Sequence, residues 1–241
     1  MENKKREGSR GERTKKEAAK KSAPALRARD RVEQLPLKPC SEIKRVSLKP
    51  GVLTAPLPPV IVSVGDGERS NLITIGWTGI LATHPPKTYI SVRPSRYSHE
   101  ILKANGEFVI NLPTVAMARA VDFVGVYTGR KLDKAERTGL TLIDSECVKA
   151  PTVAEAPLSI ECRVTDVMSM GTHDVFVADV VGVSARGDII DGEGKLRFDR
   201  ADLLAYAHGE YYSLGERLGA FGFSTAKKSS AKKKAPPRAK K

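Results

Sequence analysis

The stretch SVRPSRYSHEILKANGEFVINLP, residues 91–113, decides how the chain is read. It contains the end of a strand, a basic turn, a short helix and a second strand. Thr88 to Val92 (TYISV) alternates between apolar and polar residues and is bounded by HPPK and RPS. Ser98 to Asn105 fits a short helix that ends at Gly106. Phe108 to Leu112 (FVINL) is a second strand, stopped by Pro113. Arg93, Ser95, Arg96 and Ser98 stand where the helix begins. A helix start presents unpaired N–H groups and the positive end of the dipole. Two guanidinium forks and two hydroxyls beside it make a phosphate the expected ligand. In the plainer alternative, Ser98 caps the helix and both arginines face solvent.

Strand signals continue outward on both sides. Val60 to Val64 (VIVSV) is a β-branched apolar run, and GDGE at 65–68 predicts a hairpin. Leu72 to Leu81 (LITIGWTGIL) reads as the next strand, interrupted by Gly76 and Gly79. Asn71, Thr74 and Thr78 alternate with its apolar residues. A flat ligand could lie along such a strand and be held by main-chain groups; otherwise the glycines serve a bulge. Trp77, the single tryptophan, is a core or interface residue unless a planar ligand stacks on it.

Downstream, 114–126 fits a helix with apolar residues at 117, 120, 121 and 124. Residues 127–140 read as a loop with one helical turn. Leu158 to Val167 and Val175 to Val183 are strands joined around SMGTHD, and 187–194 is turn-rich. The segment LLAYAHGEYYSLGERLGAFGFS, 203–224, has no single period. Many strands with two short helices inserted predict a mainly β fold, a barrel or sandwich.

Charge divides the 241 residues into three. Residues 1–50 hold 16 basic and 7 acidic side chains; residues 225–241 hold 8 basic and none acidic. That leaves 17 basic and 21 acidic in 51–224, so the net +13 lives in the two ends. This excludes a basic nucleic-acid-binding fold for the whole chain. Low apolar content predicts a disordered N-terminal extension over 1–50 and a disordered Lys-rich tail over 225–241, flanking one domain at 51–224. Such tails suit nonspecific attraction to polyanions such as nucleic acid, or serve only as solubilising extensions.

Nothing in the sequence predicts a membrane span or a secretory signal. Cys40, Cys147 and Cys162 form no disulfide framework, so a cytoplasmic setting is expected. Rossmann, P-loop, nucleophile-elbow and zinc motifs are absent, and no metal is expected. His84, His99, His173 and His208 are scattered.

In order along the chain, NLITIGWT, HPPKTYISVRPSRYSHE and GEFVINLP resemble the flavin reductase-like family, whose fold is the FMN-binding split barrel. The flavoredoxin group looks most similar. TGRKLDK (128–134), APLSIECRV, GTHDVFVADVV and YYSLGERLGAFGFS extend the resemblance over about 59–224. The resemblance implies noncovalent FMN near a homodimer interface, with NADH or NADPH as co-substrate or a redox protein as partner. It implies phosphate contacts from Arg93, Ser95, Arg96 and Ser98. It implies that Asn71, Thr74, Gly76, Trp77 and Thr78 line the ribityl chain and ring edge, that Asn111 and Leu112 approach the ring, and that Lys134 touches phosphate or ring. The flavin would carry the redox chemistry, leaving no catalytic side chain to seek; His173 is a weak candidate near a nicotinamide. The alternative is a loop histidine bonded to Asp174 or main chain. At the level of function, the alternative is a non-enzymatic split-barrel module that holds flavin or heme while its basic tails bind polyanions.

Overall fold

In the computed structural model the described residues are 37–66 and 69–225. The expectations for most of the basic extension and for the tail after residue 225 lie outside them. The chain divides into two units, Leu48–Leu218 and the remainder. In the remainder, the described residues form little beyond a 3-10 turn at Cys40–Glu42.

The larger unit is built on one antiparallel sheet. Its strands are β1 (Val60–Val64), β2 (Asn71–Ile75), β3 (Thr78–Thr83), β4 (Pro86–Val92), β5 (Glu107–Leu112), β8 (Leu158–Ser169) and β9 (Asp174–Ala185). They lie in the order β2-β1-β5-β8-β9-β4-β3. The first hairpin forms as predicted, with Val64 opposite Asn71. Two short pairs complete the strands: β6 (Leu142–Ile143) with β7 (Thr152–Val153), and β10 (Leu204–Ala207) with β11 (Glu210–Ser213). Neither pair was legible in the sequence, because two to four residues are too few to establish a period.

One expectation is corrected. The run 72–81 is not one interrupted strand. It breaks at Gly76–Trp77 into β2 and β3, which sit at opposite ends of the strand order. The connection is two residues long, so the two edges of the sheet must curl towards each other. The sheet does not close, and this is a split barrel.

Alternation explains the continuous apolar run of β1. Val60, Val62 and Val64 face one core with Ile73, Ile75, Ile90, Phe108, Ile110 and Phe176. Ile61 faces a second core with Leu72, Met117, Val121 and Val124. A strand covered on both faces has no polar side to show, and all five β1 residues are buried. Helix α1 (Tyr97–Asn105) covers the first core with Ile101 and Leu102. It ends at Gly106, whose φ of 67° is the left-handed cap expected there. Helix α2 (Ala118–Val126), entered through a 3-10 turn at Val115–Met117, covers the second core; α3 (Lys134–Thr138) follows.

Candidate functional site

The strand β4 ends at Val92 and the chain turns at once into α1. Arg96 N–H donates to the Arg93 carbonyl at 3.0 Å, closing the turn. Arg96 is the N-cap residue and no side chain caps the helix. Ser98 is therefore not the cap. It is buried one position inside the helix, where its hydroxyl accepts from Asn71 Nδ2 at 2.8 Å. That bond ties β2 to the helix start. Arg93, Ser95 and Arg96 are exposed, and among the described residues neither arginine side chain has an ion-pair partner.

Beside this helix start is a small pocket of about 70 Å³ lined by Asn71, Ser95, Arg96, Ser98, Gly129 and Lys134, among others. Lys134 is 5% exposed. Its ammonium donates to the Leu72 carbonyl at 2.7 Å and the Val124 carbonyl at 2.8 Å, and among the described residues no carboxylate faces it. Burial, reinforced by Arg96, pushes its pKa down to about 8. A buried cation without a counter-ion is costly, and an anion in this pocket would supply one. Gly129 makes room: a Cβ there would lie 2.0 Å from Asn71 Oδ1.

The pocket shares walls at Ile73, Arg96 and Gly125 with a neighbouring cleft of about 400 Å³. Thr74, Gly76 and Trp77 line one side, where the chain crosses between the sheet edges, and Arg93 and His173 line another. The Thr74 hydroxyl donates to the Val121 carbonyl. The rings of Trp77 and His173 are 4.4 Å apart, tilted by 55°. His173 follows the left-handed Gly171 in the β8–β9 turn and accepts the Met170 N–H at its carbonyl, 2.7 Å away. It does not bond Asp174, whose carboxylate meets His99 Nε2 at 2.8 Å. Instead His173 Nδ1 lies 2.9 Å from the Thr172 hydroxyl. Burial and then Arg93 lower the His173 pKa below its usual value, which favours the uncharged ring.

Three predicted contacts lie outside both spaces. Asn111 is fully buried: its Nδ2 donates to the Ile61 carbonyl and the Ser63 hydroxyl at 3.1 Å, and its Oδ1 accepts the Val153 N–H at 2.9 Å and the Ser159 hydroxyl at 2.8 Å. Its alternation on β5 turns the amide into the scaffold. Leu112 packs on the first core. Thr78 donates to the Tyr89 carbonyl at 2.6 Å, on the β3–β4 pair. Conversely, sequence reasoning missed Asp122, Gly125 and Val126 of α2, Leu57 and Pro59, and Tyr206 and Tyr211 of the β10–β11 hairpin, all of which line the cleft. Tyr211 donates to Asp122 at 3.4 Å, and burial with Asp122 pushes its pKa up to about 12. The YYSLGER segment, 211–217, entered the family resemblance, but no site role was expected of it.

The model of the flavin reductase like domain matches residues 53–215. The chain belongs to this family. The flavoredoxin of Desulfovibrio vulgaris (Miyazaki F) superposes with a TM-score of 0.69 at 29% identity, over 78% of this chain and 99% of that one. An FMN-binding protein from Thermus thermophilus superposes with a TM-score of 0.63 at 25% identity, over 74% and 98%. The FMN reductase (NADH) RutF of Stutzerimonas stutzeri is 28% identical over 130 residues, 54% of this chain and 66% of that protein. Among the described residues of this family member, no helix is long and apolar enough to cross a membrane.

Proposed function

We propose that this protein is an FMN-dependent oxidoreductase, acting as an NAD(P)H-dependent flavin reductase or a flavoredoxin-like electron carrier. One observation carries the reading: the buried Lys134, with no carboxylate facing it among the described residues, beside Arg96 and the start of α1, in a pocket that shares walls with a broad cleft. A phosphate monoester with a planar head matches both spaces. The names of the relatives support FMN as that ligand.

In this reading Arg96, Arg93, Lys134 and the first-turn N–H groups of α1 hold the phosphate. The Asn71–Ser98 bond fixes the helix start against β2. Gly76 offers backbone without a side chain, so a flat ring can approach closely. Trp77 and His173 wall the side against which a second ring would lie. When bound, the flavin supplies the hydride and electron chemistry. The residues supply position, and holding two rings face to face is the main source of rate. A homodimer and a redox protein partner belong to the same proposal.

The test is the absorbance spectrum of the purified protein, followed by anaerobic NADH and NADPH titration. A flavin band that bleaches on titration supports a reductase; a band that does not bleach with either dinucleotide supports the carrier. Colourless protein that takes up no added FMN overturns both.

A further inference from the structure

The far wall of the phosphate pocket is a strap, residues 127–133, between α2 and α3. Tyr127, Thr128 and Gly129 line the pocket directly. The next residue, Arg130, reaches across to α1. Its guanidinium donates to Glu100 Oε2 at 2.6 Å and to Glu100 Oε1 at 3.2 Å, and lies 4.9 Å from the centre of the Tyr97 ring. Tyr97 lines the pocket as well, and its hydroxyl accepts from Arg69 at 3.3 Å. Gly129 lies against Asn71, which bonds Ser98 of the same helix turn. The strap is thus tied to α1 at Arg130, and beside it Gly129 packs against Asn71.

Both partners of the Arg130–Glu100 pair are about half exposed. Exposed pairs contribute about 0–1 kcal/mol to stability. Fork-to-fork geometry instead fixes position, and what it fixes is the wall of a space with room for about two or three waters. In FMN the phosphate ends the molecule. In FAD one of its oxygens continues into a second phosphate and an adenosine, which would have to pass this wall. The monoester also carries more charge per phosphorus, which suits Lys134 and Arg96.

Building on the phosphate reading above, we infer that the Arg130–Glu100 clasp closes the phosphate end of the site and selects a flavin mononucleotide over a flavin dinucleotide. Arg130 acts here as a positioning residue, through the strap.

The test is titration of the full chain with FMN, FAD and riboflavin, followed by flavin fluorescence, in the wild type, Arg130→Ala and Glu100→Gln. In the wild type FMN binds at least about tenfold more tightly than FAD. Each variant narrows that ratio by about tenfold, the scale of one specificity contact, through tighter FAD binding, with FMN changed less than about threefold. Thermal unfolding checks that both variants remain folded. Equal FMN and FAD affinity in the wild type overturns the inference. So does an unchanged ratio in both variants while FMN still outbinds riboflavin; the phosphate reading then stands. A parallel loss of all three flavins marks the clasp as structural only and also overturns it. If FMN and riboflavin bind the wild type alike, the phosphate reading itself fails and the inference with it.

Discussion

Burial of the Lys134 ammonium beside Arg96 sets a pH dependence whose direction follows from its pKa. The folded value, about 8, lies below the ordinary 10.5. Between these values the unfolded chain holds the proton and the folded one releases it, so stability without ligand rises as pH rises across that window. The full effect is on the order of 3 kcal/mol. Lys134→Met should flatten this part of the profile in denaturant unfolding. With ligand the sign reverses: FMN affinity should fall above about pH 8 as the ammonium titrates, and Lys134→Met should show no such fall. Arg96→Ala and Arg93→Ala should each weaken FMN by about 1.5–3 kcal/mol, the value of a charged hydrogen bond. Riboflavin, which lacks the phosphate, should change little. Equal losses for both ligands in calorimetry would assign the arginines to folding.

At the scale of elements, the helix start and the strand crossing that the sequence singles out line the pocket and the cleft. The β4–α1 turn was visible because Pro94 and Ser95 have local conformational meaning. Ser98 is a phosphate contact by the resemblance and a cap in the plainer local alternative; it is not the cap, and its hydroxyl's partner, Asn71, is 27 residues away. Asn111 shows the same limit. Polar residues on a strand can serve a ligand or the scaffold, and only the register of β5 against β1 and β8 decides. Here the amide joins Ile61, Ser63, Val153 and Ser159. Asn111→Leu should therefore cost roughly 3 kcal/mol by stranding buried groups such as the Val153 N–H. It should lower the unfolding midpoint and leave the ratio of FMN to riboflavin affinity unchanged. A selective loss of FMN would return Asn111 to the site.

At the scale of the whole molecule, charge and fold are separate matters. The eight basic residues of 225–241 face no acid within that segment. Counterion release then predicts that deleting 226–241 weakens nonspecific DNA binding at low salt and reduces its salt dependence. Electrophoretic mobility at two salt concentrations checks this; identical binding by both chains removes the polyanion idea. Flavin affinity should be the same in the truncated chain.

Hydrophobic alternation, glycine and proline punctuation and the charge split determined from the sequence alone that this is a mainly β domain with basic ends. They also made the first turn of α1 the expected place for an anion. These are short-range properties, set by backbone sterics and by which faces must be dry. The tertiary structure decided what no local pattern carries. It placed the two halves of 72–81 on opposite edges of one curled sheet, buried Lys134 beneath the helix start, paired His99 rather than His173 with Asp174, and brought Tyr206 and Tyr211 to the cleft. Each of these depends on strand order, and strand order is fixed by contacts between residues far apart in the chain.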